Sequence, residues 1–263
     1  MSELLFVTSV ITPYSKSITT LRDEKIRLEN TKNAIFLSIK DNLFSKLVIV
    51  DGSNFDILDK NEIIKIEKQG IQVEQLKFQQ PIIDVQNNGG SYGEMTIHEY
   101  MIKNSNLVSE HGTFCKLSGR YNIINAKKVI PKLRNYDTFF VNYHPYFVRN
   151  FFPYTSTVFY KSSVDFFEKY LLDCKKECSY EVDGYLESVF FRRLISLNKR
   201  YLSFPYPFFS GISGVTSQET VNNHLLIRRF LSISGFLSFT CDLWIILKSI
   251  IRYEHKYTNL LFF

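Results

Sequence analysis

Two short apolar runs separated by one amphipathic stretch set the architecture open to this chain. Leu4–Ile11 and Lys46–Asp51 are dense in Leu, Val and Ile and read as buried strands. Between them, Lys25–Leu43 sets Ile26, Ala34, Leu37 and Leu43 among Lys and Asn, which predicts an amphipathic helix. Asn61–Gln69 suggests a second helix stopped by Gly70, and Ile71–Phe78 alternates as a third strand. Strands separated by helices in this order are parallel, with right-handed crossovers, so the expected fold is an α/β sheet. Ligands of such sheets sit beyond the carboxyl ends of the strands, where Thr8, Ser9 and the turn Asp51-Gly52-Ser53 would lie.

The segment Asn87–Tyr121 adds chemistry to that edge. Gly89, Gly90 and Gly93 form a turn leading into a predicted helix at Glu94–Lys103, and Gly119 stands beside Arg120 at a predicted strand end. Glycine lets a backbone approach a ligand closely, and a helix start offers free N–H groups to phosphate. An arginine at a strand end can clamp a diphosphate with its planar fork of donors. Together these features suggest a phosphorylated, sugar-like ligand. A glycine loop that only caps its helix and an Arg120 held in a structural salt bridge are the plain alternatives.

Composition limits the classes of function. A chain of 263 residues that is 45% hydrophobic can bury a full core in one large domain with an appendage. Its 24 Phe and 16 Tyr exclude disorder over most of the length, and a net charge of +6 favours anionic partners. Cys115, Cys174, Cys178 and Cys241 have no disulfide spacing and read as reduced cytoplasmic thiols; Cys174 and Cys178 lack the second Cys/His pair a zinc site needs. The N-terminus lacks a basic region before its apolar run and reads as a strand rather than a signal peptide. No Walker loop, dinucleotide fingerprint, His i,i+4 pair or Ser/His/Asp signature is present, which argues against kinase, ATPase and hydride-transfer chemistry.

Further along, Tyr136–Tyr160 is aromatic and broken by Pro145 and Pro153, while Ser163–Lys175 and Tyr185–Leu197 look helical. Pro205, Pro207 and Ser210-Gly-Ile-Ser-Gly214 mark irregular backbone open to a ligand. From His224 onward Phe236, Phe239, Leu243, Leu247, Ile250 and Ile251 recur at helical spacing beside Arg228, Arg229, Lys248, Arg252 and Lys256. Asp242 and Lys248 interrupt that run, so a spanning helix is not expected. It either lies on a membrane surface or packs on the core. The expected division is a main domain over 1–220 and an amphipathic helical extension over 221–263.

Leu4–Ile11, the Arg27–Leu43 helix, Val48–Ser53, the Asn87–Glu94 turn, the Lys116–Asn125 strand and the Phe204–Gly214 loop resemble bacterial glycosyltransferases of the GT-A type, which build lipopolysaccharide or capsule polysaccharide. The resemblance implies a Rossmann-like mixed sheet flanked by helices. It implies a nucleotide-sugar donor, a UDP-sugar first, held by the first half, and a saccharide or lipid-linked acceptor held by the second. The expected enzyme is a cytoplasmic glycosyltransferase of the hexosyltransferase class at the inner face of the membrane, inverting where a carboxylate serves as base, whereas a retaining enzyme would need none.

On that resemblance Thr8 and Ser9 flank the base, and Asp51, with Gly52 and Ser53, faces the uracil or ribose. Asn87 and Gly93 lie along the ribose and diphosphate. Asp51 reads equally as an acid that ends a strand and shapes its turn. The GT-A type normally carries an Asp-X-Asp metal motif near Lys116-Leu-Ser-Gly-Arg-Tyr121, and no acid pair stands there. Divalent metals want carboxylate oxygens, so Arg120, with Lys116, is expected to replace the metal in part, although other acids could hold one.

For the base, Asp183 and Glu187 are four residues apart near the start of the Tyr185–Leu197 helix, which predicts both carboxylates on one face. Glu187 is the first candidate to deprotonate an acceptor hydroxyl and Asp183 the second, against the plain reading of acids favoured at a helix start. Two other functions compete: a nucleic-acid-binding module using cations and exposed rings, and a catalytically silent scaffold of the same fold. Against the first, the basic residues are spread along the chain rather than gathered.

Overall fold

The computed structural model describes residues 2–14, 21–143, 154–197 and 207–212. The predicted extension over 221–263, the end of the Ser210–Gly214 loop, His144, His224, His255 and Cys241 lie outside the described residues.

In chain order the elements are β1 (Glu3–Ser9), α1 (Glu24–Ile39), β2 (Phe44–Asp51), α2 (Lys60–Glu67), β3 (Gln72–Lys77), α3 (Ile82–Asn88) and α4 (Gly90–Asn104). Then follow α5 (Asn106–His111), β4 (Thr113–Ser118), β5 (Tyr121–Ile123), α6 (Ala126–Leu133), β6 (Asn142–Tyr143) and β7 (Tyr154–Thr155). The last are β8 (Phe159–Ser163), α7 (Val164–Phe166), α8 (Leu186–Ser196) and β9 (Phe209–Gly211).

The main sheet has the order β3-β2-β1-β4-β8. β1 to β4 run parallel, as their spacing with intervening helices predicts, and β8 lies antiparallel on β4. This is the mixed, Rossmann-like α/β sheet expected from the sequence. The central strands read as continuous apolar runs because both faces are covered. On one face Leu5, Val7, Leu47, Ile49 and Leu117 meet Ile35 and Ile39 of α1 and Val129 and Ile130 of α6. On the other, Leu4, Phe6, Val48 and Val50 meet Met95 and Met101 of α4 and Val189 and Phe190 of α8.

Two lysines are buried in this sheet, one per face. Register pairs Leu5, Cys115 and Lys161 across β1, β4 and β8, and the neighbouring row holds Phe6, Lys116 and Tyr160. Lys161 Nζ donates to Glu3 Oε1 at 3.0 Å and to the Leu133 carbonyl at 3.0 Å. Lys116 belongs to the site described below.

Helix α1 differs from expectation in which side it buries. Ile26 and Leu37 are each 45% exposed, while Arg27, Thr31, Ala34, Ile35, Ser38 and Ile39 face inward. The inward stripe follows the helical period through polar residues whose donors find carbonyls: Thr31 Oγ1 donates to Arg27 O at 2.9 Å and Ser38 Oγ to Ala34 O at 2.7 Å. The predicted helix over Ser163–Lys175 is α7 followed by a π-helical turn (Phe167–Leu171) and a 3₁₀ turn (Leu172–Glu177). The predicted Lys116–Asn125 strand is β4 and β5, separated by a turn at Gly119 and Arg120. Among the described residues no helix is long and apolar enough to cross a membrane.

Candidate active site

The carboxyl ends of β1, β2 and β4 are tied to one another through backbone. Gly52 N–H donates to Ser9 O and Gly119 N–H to Thr8 O, each at 2.9 Å. Gly119 has to be glycine, because a Cβ there would stand 2.7 Å from the Thr8 oxygen. Its close approach is therefore to the neighbouring strand. Thr8 and Ser9 are buried at this junction.

Asp51 is fully buried and its carboxylate is taken up by its own turn. Oδ1 accepts from Ser53 N at 2.8 Å, Ser53 Oγ at 2.7 Å and Phe55 N at 3.0 Å, and Oδ2 accepts from Ile11 N at 3.2 Å. Ser53 Oγ accepts in turn from Ile11 N at 2.8 Å and Thr12 N at 3.0 Å. With four donors from its own turn and from Ile11, the carboxylate shapes the strand edge as a turn acid does.

The glycine segment is a joint between two helices rather than an open turn. Asn88 ends α3, Gly89 takes φ +91°, and α4 begins at Gly90, four residues before the predicted start. The left-handed conformation at Gly89 is one that side chains resist. Gly93 is buried in the first turn of α4, and its carbonyl accepts Gln80 Nε2 at 2.6 Å. Asn87 points away as an exposed residue of α3, apart from the buried Gly93.

Glu94, on that first turn, is the functional candidate that sequence reasoning passed over. Lys116 Nζ, fully buried, donates to Glu94 Oε1, to the Thr157 carbonyl and, at 2.8 Å, to Ser118 Oγ. The three protons of the ammonium are thus all engaged within the protein, whereas the sequence expectation set Lys116 beside a donor diphosphate. Thr157 Oγ1 donates to Glu187 Oε1 at 2.7 Å. Burial pushes the Glu187 carboxyl above its ordinary value, the Thr157 bond opposes this, and Glu94 pushes it further up. One turn past Glu94, His98 Nδ1 lies 2.7 Å from the Glu94 carbonyl and its Nε2 lies 2.6 Å from Tyr160 Oη. A carbonyl only accepts, so Nδ1 carries the proton and Nε2 accepts from Tyr160. Burial, aided by Lys116, holds His98 down to about 4, so the ring is neutral.

Asp183 does not share a face with Glu187. It is exposed on a 3₁₀ turn (Val182–Gly184) ahead of α8, whereas Glu187 turns inward from the first turn of α8. The two acids are separated because α8 starts at Leu186, whose N–H is held by Ser91 Oγ at 3.0 Å.

The cations of this edge come from α1 and the β4–β5 turn. Arg120 is half-buried and its Nε donates to Ile212 O at 3.3 Å. Arg27 is buried at 4% exposure, donating from Nε (2.9 Å) and Nη2 (2.5 Å) to Val10 O and from Nη1 to Leu21 O (2.9 Å). Burial, with Arg120 adding to it, pushes Arg27 down to about 9; burial also lowers Arg120. Neither guanidinium has an ion pair among the described residues, and Asp51 and Glu94 are the negative groups that act on Arg27 and Arg120 from farther off. Sequence reasoning missed Arg27, because the apolar residues Ile26 and Leu37 pointed to a different face of α1 from the inward 27, 31, 34, 38 stripe.

Among the described residues, the donor set at this edge does not suit a divalent metal. Ser118-Gly119-Arg120 holds no acid, Glu94 is already paired with Lys116, and Glu187 Oε1 already accepts Thr157 Oγ1 at 2.7 Å. Among the described residues no three His, Cys, Asp or Glu side chains gather as a metal site. Cys174 and Cys178 are buried thiols, with burial pushing them up to about 11 and about 12.

No protein-family model matches the chain, and no curated protein matches it significantly. Solved structures do show likeness. TarS of S. aureus, residues 1–349, in complex with UDP-GlcNAc, is 10% identical over 64% of this chain and 47% of its own, with a TM-score of 0.33. A second structure of S. aureus TarS, residues 1–349, is 10% identical over 72% of this chain and 54% of its own, with a TM-score of 0.35. The chain spans about half the length of these structures.

Proposed function

We propose that the chain is a glycosyltransferase that moves a sugar from a nucleotide-diphosphate donor to a saccharide hydroxyl by inverting displacement. The observation that carries this reading is the Glu187 carboxyl, raised by burial and set beside the Glu94–Lys116 pair. A base of raised pKa suits proton abstraction near neutral pH. In the proposed step Glu187 takes the acceptor hydroxyl proton as the oxygen attacks the anomeric carbon. The bond from that carbon to the donor phosphate breaks, and its electron pair leaves with the diphosphate. Arg120, with Arg27 behind it, supplies fixed positive charge for that leaving group without a metal. The sequence resemblance supports a UDP-sugar donor, a saccharide or lipid-linked acceptor in surface polysaccharide synthesis, and the cytoplasmic membrane face as the place of action.

A panel of nucleotide sugars, read by release of the nucleoside diphosphate, tests the reading. At least one UDP-sugar should be turned over, and Glu187→Gln should cut transfer by about two to four orders of magnitude with donor affinity little changed. Full transfer by Glu187→Gln would remove the assigned base. Thermal stabilisation by oligonucleotides and by no nucleotide would favour a nucleic-acid-binding module, and nucleotide binding without any turnover a silent scaffold.

A further inference from the structure

Glu94 and Glu187 come from different helices and face one ammonium between them. Lys116 pairs directly with Glu94. It reaches Glu187 through a single residue, because Thr157 accepts Lys116 at its carbonyl and donates its hydroxyl to Glu187 at 2.7 Å. Ser118 Oγ takes the third lysine proton at 2.8 Å. Two carboxylates and one fixed cation in a buried setting cannot all ionise at equal cost, since desolvation penalises each uncompensated charge. The direct ion pair gives Glu94 the stronger claim on the ammonium.

We propose that Lys116 is a positioning residue serving two carboxylates: it pairs directly with Glu94 and, through Thr157, fixes Glu187, so that the charge on Glu187 depends on both partners. This rests on the assignment of Glu187 as base for its meaning in catalysis, but its electrostatic content stands without any substrate.

The groups packed around the carboxylates do not compete for this role. His98 on α4 is held down to about 4, Cys178 after the 3₁₀ turn is pushed up to about 12, and Tyr160 on β8 lies well above its ordinary value, all chiefly by burial. These three are neutral near pH 7. Arg192 and Arg193, on the same helix as Glu187, turn to Glu177 at 3.3 and 2.8 Å. Arg120 acts on the pair from the Glu94 side. Glu94, Lys116 and Glu187, with Arg120 at the Glu94 side, therefore set the local charge balance.

The test is a carbon-13 NMR titration of glutamate side-chain carboxyls in the full-length chain, with the Glu187 signal assigned by its loss in Glu187→Gln. Removing the cation in Lys116→Met leaves two facing carboxylates, so the upper of their coupled midpoints should rise by about one pH unit or more. Removing the like charge in Glu94→Gln should lower the Glu187 midpoint by about the same amount. The double variant should fall between the two. Glu94 is 26% exposed at its side chain, so Glu94→Gln remains informative should Lys116→Met fail to fold. A Glu187 midpoint unmoved in folded Glu94→Gln overturns the proposal, whichever sugar the enzyme uses. Should these shifts appear while no nucleotide sugar is ever turned over, the electrostatic arrangement stands and the transferase reading falls.

Discussion

Gly119→Ala probes the strand junction on which the candidate site is built. The added Cβ would lie 2.7 Å from the Thr8 carbonyl oxygen and 3.2 Å from Thr31 Cγ2. The first contact cannot relax by a rotamer change, because that oxygen is backbone and accepts the Gly119 N–H at 2.9 Å. Relief requires the end of β4 to withdraw from β1 and stretch the bond. Overpacking of this kind costs about 1–3 kcal/mol. Weakening a buried backbone hydrogen bond adds about 1 kcal/mol. The expected destabilisation is about 2–4 kcal/mol, which for a chain of this size lowers Tm by roughly 4–15 °C. Urea unfolding followed by circular dichroism, with a thermal scan beside it, measures both. Arg120 follows directly in the chain, so nucleoside-diphosphate affinity should also fall in the fraction that stays folded. A Tm within a degree or so of wild type would refute the argument that β1 and β4 meet too closely here for any side chain.

Arg120→Ala should weaken nucleoside-diphosphate binding by about ten- to a hundredfold while leaving nucleoside binding nearly unchanged, as read by calorimetry with UDP and uridine; equal losses for both would detach Arg120 from the diphosphate. His98 has an ordinary value of 6.5 and is held at about 4 by burial, so the unfolded chain binds its proton first. Stability should therefore decline as pH falls from about 6.5 towards 4, with His98 contributing up to about 3 kcal/mol of the loss, and His98→Gln should flatten that part of the Tm–pH curve; identical curves would refute it. Removing residues 236–263 should lower sedimentation with anionic liposomes at low salt, and an intact chain that never binds them would leave the C-terminal segment a packing role.

The first eighty residues were the most legible part of the sequence. Predicted strands at Leu4–Ile11, Lys46–Asp51 and Ile71–Phe78 match β1, β2 and β3 to within a few residues. A central parallel strand announces itself because both its faces are apolar. Helix α1 was legible as a helix but not in its orientation. Its inward stripe carries Arg27, Thr31 and Ser38, and no apolar pattern reveals that carbonyls at Val10, Leu21, Arg27 and Ala34 await them. β8 was not anticipated within an aromatic segment, since an edge strand's partner depends on tertiary pairing. The catalytic candidates split the same way. Glu187 could be named as a candidate from its place in an acidic segment, whereas Glu94 becomes one only through its contact with Lys116, 22 residues away in sequence.

Lys161 and Lys116 have a consequence for how the sheet chooses its alignment. Each occupies a row of its own on adjoining strands, with Lys161 across from Cys115 and Lys116 across from Tyr160. Sliding β8 by one position along β4 would turn every one of its side chains to the opposite layer. Lys161 would leave Glu3 and the Leu133 carbonyl for the aromatic layer around Phe6 and Phe114, while Tyr160 would lose His98. A buried ammonium without a partner costs several kcal/mol, far more than a mismatch between apolar side chains. The antiparallel edge strand is thus keyed by charge, one tooth on each face, and the misaligned sheet is penalised before any ligand arrives.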